Sequence, residues 1–236
     1  MTRTLLLLAV LVFLGTVAQA EPPASSAKIP DAASLQIADE PNLPRVLLVG
    51  DSISMGYTLP VRKRLRGRAN IHHPPENCGD TGRGLRKLDA WLGDGPWDVI
   101  VFNFGLHDLK YLNAEGKYVA PSEGKQVTPV AQYGANLHEL AARLKRTGAK
   151  LIYATTTPVP ANSLARVEHD ERVYNAVAQR VMAAEHIPVL DLCALVEPKQ
   201  AEVQFPKNVH FTETGFDLLG DAVAASIASL LPAPKS

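Results

Sequence analysis

Two segments far apart in the chain carry side chains that make a hydrolytic pair. Val49-Gly50-Asp51-Ser52-Ile53-Ser54 follows the apolar run Val46-Leu47-Leu48. Such a run, stopping at Gly and then Asp-Ser, reads as a buried strand ending in a sharp turn. The turn lifts the Ser52 hydroxyl above the carboxyl edge of a sheet, where open α/β folds place their chemistry. Near the C-terminus, Asn208-Val209-His210-Phe211-Thr212 sets a histidine just before a helical pattern. Serine is a weak nucleophile until a base within hydrogen-bond reach takes its proton, and imidazole is suited to that task. Taken alone, Asp51 and Ser52 equally fit the residue types that form turns and cap helices.

Two further blocks stand at comparable places. Asn77-Cys78-Gly79-Asp80-Thr81 follows the second predicted strand, and Phe102-Asn103-Phe104-Gly105-Leu106-His107-Asp108-Leu109 closes the third. Each lies at or beyond the carboxyl end of a strand, so one crevice collects all four blocks. Asp51 and Asp108 are supporting residues, expected to hold their loops by accepting backbone N–H groups; Asn77 and Asn103 are weaker candidates for the same duty. No Cys-x-x-Cys or His-x-x-x-His spacing is present. His72-His73 is a strand dipeptide whose side chains point to opposite faces, which is poor ligand geometry. Neither a metal nor a cofactor is expected. No Gly-x-Gly-x-x-Gly follows the first strand, which disfavours a dinucleotide-binding domain.

The elements that must position these groups alternate. Strand signals fall at Arg45–Val49, Ala69–His72, Asp98–Asn103, Lys150–Thr155 and Ile187–Leu190. Helical stripes lie at Gln132–Arg146 (Leu137, Leu140, Ala141, Leu144), Asp170–Glu185 (Val173, Val177, Val181) and Thr214–Leu230 (Phe216, Leu219, Val223, Ile227). Their 3.6-residue period marks core-facing helices. Strands alternating with helices imply a parallel sheet covered on both faces, a three-layer α/β/α sandwich. Lys110 to Pro129 breaks the rhythm, and Gly116, Pro121, Gly124 and Pro129 punctuate it. Tyr118-Val119 and Gln126-Val127 are placed to pair as a small hairpin. With Tyr111 and Tyr118, the segment is a substrate wall or a mere excursion. Thr155-Thr156-Thr157-Pro158-Val159-Pro160 ends on the same rim as a pocket lining or a stiff turn, and Tyr174 and Asn175 read as packing.

Residues 1–20 read as a secretory signal peptide. Arg3 supplies the positive start, Leu5 to Leu14 the apolar core, and Ala18-Gln19-Ala20 the small-x-small cleavage pattern. The run is too short for a spanning helix. The expected address is periplasmic or extracellular, with no stable membrane insertion after cleavage. Residues 21–44, with Pro22, Pro23, Pro30, Pro41 and Pro44, read as a tether or loosely packed arm, and residues 45–236 as one domain. Lys and Arg number 24, as do Asp and Glu. That balance offers no electrostatic case for nucleic acid. The cluster Arg62-Lys63-Arg64 with Arg66 and Arg68 reads as a solvated helix face. Export permits a disulfide between Cys78 and Cys193, but the order of elements puts them on opposite halves of the sheet, favouring two free thiols. The oligomeric state is not legible.

The order and spacing of the four blocks, from Arg45 to the last helix, resemble the SGNH hydrolases, the GDSL-type esterases and lipases. The resemblance implies a flavodoxin-like sandwich and a serine hydrolase acting on ester bonds. Its nucleophile would be Ser52 and its base His210. The oxyanion hole would comprise the Ser52 N–H, Gly79 and the third-block side chain, here His107. Two positions depart from the family pattern. His107 stands where Asn is usual; it either donates to the hole or is satisfied by neighbours outside it. Lys207 stands three residues before His210, where the family has Asp, so a backbone carbonyl, Asn208 or a remote acid such as Glu202 must orient the base. The expected activity is hydrolysis of O-acyl, foremost O-acetyl, esters of a carbohydrate or other small molecule. The alternatives are a lipase- or thioesterase-like acyl hydrolase and an inactive carbohydrate-binding domain on the same fold.

Overall fold

In a computed structural model describing residues 29–31 and 35–232, the first strand β1 (Arg45–Val49) lies inside a five-stranded sheet, its last four side chains buried. The partners are β2 (Asn70–His72), β3 (Val99–Phe102), β6 (Lys150–Ala154) and β7 (Val189–Leu190). All pairs are parallel, in the spatial order β2-β1-β3-β6-β7. The order reverses between β1 and β3, and ligands of doubly wound sheets bind at that switch point. Helices α1 (Ser52–Arg64), α2 (Thr81–Leu92), α3 (Val130–Lys145), α4 (Glu171–Ala184) and α7 (Glu213–Ala228) cover the faces, with short turns α5 (Leu192–Val196) and α6 (Gln200–Val203) before α7. The fold is therefore the expected flavodoxin-like α/β/α sandwich. Every residue of β3 is buried, as a strand covered on both faces requires. Among the described residues, no helix is long and apolar enough to cross a membrane.

Helices α1 and α7 pack closely because glycines face bulky groups across their contact. A Cβ on Gly56 would run into the Phe216 ring, and one on Gly220 into the Pro60 ring. Arg64 joins the two helices through Asp217 at 3.2 Å and through Asp221. The basic cluster is thus only partly a solvated face, since Arg62 also donates to the carbonyls of Ile71 and Leu35.

The expected signal peptide, residues 1–20, lies outside the described residues. Two irregular segments depart from expectation. The described end of the arm is docked rather than loose: Leu35 is buried, and Asn70 exchanges hydrogen bonds with Glu40, accepting its N–H at 2.8 Å. In the 110–129 excursion, Gln126 does not pair with Tyr118-Val119. The antiparallel pair is β4 (Tyr111–Leu112) with β5 (Lys125–Gln126), and Tyr118 bridges the other side of Leu112. The cause is a turn after Leu112. The Asn113 side chain accepts the N–H groups of Glu115 and Lys117, and Gly116 takes φ 74°. Cys78 and Cys193 are buried free thiols beyond the two outermost strands.

Candidate active site

The turn after β1 is built by its own side chains. Asp51 caps α1, accepting the Ile53 N–H at 2.9 Å, so the next residue, Ser52, opens the helix. The Ser52 N–H is one of the first-turn donors that lack an intrahelical acceptor, and the helix dipole adds partial positive charge there. On the far side, the loop before α7 is pinned by Gln204. Its amide donates to the carbonyls of Val209 and Pro158, and its backbone bridges to Phe211. Thr212 then caps α7. The α1–α7 contact thereby brings together two groups 158 positions apart, with Ser52 Oγ 2.9 Å from His210 Nε2.

The protonation pattern of His210 follows from its partners. Asn208 Oδ1 accepts the His210 backbone N–H at 3.1 Å, which fixes that atom as the oxygen. The same oxygen lies 2.9 Å from His210 Nδ1, so Nδ1 must carry the ring proton. Nε2 is left with a lone pair facing the Ser52 hydroxyl, as a general base requires. Burial, and then the Arg166 cation, hold the imidazole below its usual pKa, so the ring is mostly neutral at pH 7. Of the three orienters left open by the sequence, the Asn208 side chain therefore occupies the place. Glu202 is exposed on α6, and Lys207 is an exposed residue with φ 59°.

His107 closes the cleft beyond β3. Lys110 Nζ donates to its Nδ1 at 3.1 Å and to the Tyr118 hydroxyl at 3.2 Å. An ammonium cannot accept, so the neutral ring carries its proton on Nε2. Burial first, then Lys110 and Arg166, depress the His107 pKa to about 3, which keeps the ring neutral over the working range. Asp108 secures this loop to α2. Its carboxylate accepts the Thr81 N–H at 2.9 Å and the Thr81 hydroxyl, and burial raises its pKa to about 7. Gly79 takes φ 68°, a conformation that favours glycine. Its N–H, however, donates to the Asn77 side chain at 2.9 Å. Asn103 donates to the Ala154 carbonyl and serves the sheet.

Ser52, His107 and His210 line one cleft of about 470 Å³, together with Asp51, Asn77 and Asn208. Tyr118 also reaches its wall, whereas Thr155, Thr156 and Thr157 are buried behind it. Thr156 is tied to the Phe104 carbonyl and to Asn175, and Tyr174 to the Thr128 carbonyl, so these residues serve packing. A neighbouring cleft of about 540 Å³, lined by residues such as Pro160, Glu197 and Phe205, holds no nucleophile–base pair. The cation that sequence reasoning missed is Arg166, in the irregular segment before α4. Among the described residues, Glu171, Cys193 and Glu197 present ligand-type atoms within 4.8 Å of one another, away from the cleft. Arg172 already pairs with Glu197 at 3.2 Å, and Glu171 accepts the Val159 N–H at 3.0 Å.

Comparison with known proteins places the fold and the family. A lipase/acylhydrolase from Enterococcus faecalis superposes with a TM-score of 0.67 at 22% identity, covering 82% of this chain and all of that one. The acetyl xylan esterase AlAXEase gives 0.63 at 14% identity, covering 78% and 99%. A mutant of the acetyl-xylooligosaccharide esterase Axe2 from Geobacillus gives 0.61 at 17%, covering 78% and 94%. At these identities the likeness is one of fold. A search of curated proteins gave no match. The profile of the GDSL-like lipase/acylhydrolase family matches residues 48–218, a span that includes the Ser52 turn, the His107 loop and His210, and the chain belongs to that family.

Proposed function

We propose that the protein hydrolyses carboxylic esters by acyl transfer through Ser52, acting on O-acyl, foremost O-acetyl, groups of a carbohydrate. The observation that carries the reaction is the 2.9 Å Ser52–His210 contact with the ring tautomer set by Asn208. In this reading Ser52 Oγ attacks the ester carbonyl while His210 Nε2 takes its proton. The developing oxyanion is met by the Ser52 N–H at the start of α1 and by His107 Nε2–H, the imidazole replacing the usual amide. Gly79 joins the hole only if its N–H is shared with Asn77. Collapse of the tetrahedral intermediate expels the alcohol, which receives the proton from His210. Water, deprotonated by the same ring, then releases the acyl group as acid. Fixed donors in a water-poor site contribute the largest share of such rate enhancements.

The choice of a carbohydrate ester is supported by the acetyl-xylan and acetyl-xylooligosaccharide esterases among the similar folds. It is also supported by the export pattern in residues 1–20, since an exported enzyme would meet polymeric substrates. Intact-mass measurement of exported protein is expected to give Glu21 as the first residue. Retention of Leu5–Leu14 would refute export by cleavage. For the chemistry, a fluorophosphonate probe is expected to label Ser52 and to leave Ser52→Ala unlabelled, with para-nitrophenyl acetate hydrolysis lost in parallel. Undiminished hydrolysis by Ser52→Ala would overturn the assignment.

A further inference from the structure

The cleft contains a cation that forms no hydrogen bond to Ser52, His107 or His210. Arg166 donates through Nε and one terminal nitrogen to the Leu106 carbonyl, at 3.1 and 2.9 Å, and through the other to the Leu164 carbonyl at 3.1 Å. These bonds occupy three of its five N–H donors and leave one on each terminal nitrogen. The side chain lines the same cleft as Ser52 and His210. Among the described residues no carboxylate lies within ion-pair distance of it. Asp51, the acid on the cleft wall, is buried and already accepts the Ile53 N–H, and its burial disfavours the charged form although Arg166 and Lys110 oppose that effect. Lys110 adds a second positive charge behind His107.

A part-buried cation with no directly paired counter-charge, only the more distant Asp51, is costly. Holding the Leu106 loop does not require one, because a neutral amide donor would suffice. The guanidinium fork, by contrast, matches the two oxygens of a carboxylate. We propose that the cleft takes an anionic ester, one whose own carboxylate pairs with Arg166 while Ser52 attacks the ester carbonyl. The inference rests on the ester-hydrolase reading of the same cleft and narrows its substrate class. The carboxylate belongs either to the alcohol part, as in an O-acylated acidic sugar, or to the acyl part, as in a half-ester of a dicarboxylic acid.

The test compares matched esters that differ in charge. On the alcohol side the pair is para-acetoxybenzoate and para-acetoxybenzamide; on the acyl side it is para-nitrophenyl hemisuccinate and para-nitrophenyl butyrate. Wild type is expected to favour the anionic member of one pair in kcat/KM by roughly 10- to 100-fold, the range for a hydrogen-bonded charge pair. The responding pair identifies the side that carries the charge. Arg166→Gln is expected to bring that ratio close to unity, and Arg166→Lys to leave it between. A loosened Leu106 loop would lower both members alike and cancel in the ratio. Equal rates within both pairs, or a preference that survives Arg166→Gln, would overturn the proposal. Calorimetric titration of Ser52→Ala with the same compounds separates the two readings. Saturable binding of an anionic member, lost in Ser52→Ala/Arg166→Gln, supports the anion site even if the wild type shows no fluorophosphonate labelling, a result that would refute ester hydrolysis alone. Equal binding of charged and neutral members refutes the anion site.

Discussion

Replacing Asn208 tests the least conventional part of the hydrolytic machinery. Its Oδ1 holds His210 twice, accepting the backbone N–H at 3.1 Å and Nδ1–H at 2.9 Å. During attack by Ser52 the ring becomes an imidazolium, and the Nδ1 bond becomes one from a charged donor. Such bonds are worth about 1.5–3 kcal/mol net. Asn208→Ala is therefore expected to lower kcat/KM by about 10–100-fold, at roughly tenfold per 1.36 kcal/mol. The loss falls on kcat, because Asn208 acts through His210 rather than on substrate. Asn208→Asp separates orientation from charge. A carboxylate next to Nδ1 favours the protonated ring and raises the His210 pKa. Catalysis needs the neutral ring, so activity rises with pH through that pKa. The acid limb of wild type lies below the ordinary histidine value of 6.5, because burial and Arg166 depress it. In Asn208→Asp the limb moves upward, while the alkaline plateau equals or exceeds that of wild type. The assay is the pH–rate profile of the three proteins on para-nitrophenyl acetate. A wild-type rate and an unmoved acid limb in both variants would refute the orienting role of Asn208.

Other perturbations reach different parts of the molecule. His107→Ala removes a fixed donor and is expected to cut kcat by about 10²–10³, with His107→Asn retaining much more; normal turnover by the Ala variant would place His107 outside the hole. Gly56→Ala drives a methyl into the Phe216 ring where α1 meets α7. It is expected to cost about 1–3 kcal/mol in urea unfolding and to depress turnover by displacing Ser52 from His210. An unchanged midpoint would show that the contact yields freely.

Much of the scaffold was legible because its signals are local. Apolar runs such as Val99–Val101 marked the strands, and the stripe Leu137, Leu140, Ala141 and Leu144 marked the buried face of α3. The blocks at strand ends then fell at the switch point, as the topology of a parallel sheet requires. What escaped depends on backbone paths without such marks. Asn162, Ala165 and His169 take φ values of 58°, 55° and 62°. Three left-handed residues, none of them glycine, turn the chain where no glycine announces a turn. Arg166 follows one of them, so its entry into the cleft had no counterpart in periodicity or composition. The strand pair at Tyr111–Leu112 was misassigned for a related reason. The side chain of Asn113, rather than the Pro121-Ser122-Glu123-Gly124 segment, decides which segment returns. The role of Asn208 was only one of three openings, because a residue two positions before His210 reaches its ring only when the intervening turn bends both onto one acceptor.

That turn also gives the proposed base an orienter in place of the family's aspartate. A carboxylate at position 207 would have to leave an exposed residue with φ 59° and reach inward. Asn208 needs no such reach, because the oxygen that closes the backbone turn also orients the ring. The neutral acceptor stabilises the imidazolium less than an anion would, and that deficit lowers the base strength of His210. Arg166 acts in the same direction. Both choices keep the base neutral to lower pH, and both leave the cleft without an exposed negative charge. A carboxylate brought in by the substrate would then meet Arg166 with only the buried Asp51, which forms no ion pair with it, as a resident acid nearby, and its negative charge would raise the basicity of His210 when Ser52 needs to lose its proton. In this arrangement the absent aspartate and an arginine without an ion-pair partner would form one electrostatic design, with the anion supplied by the substrate.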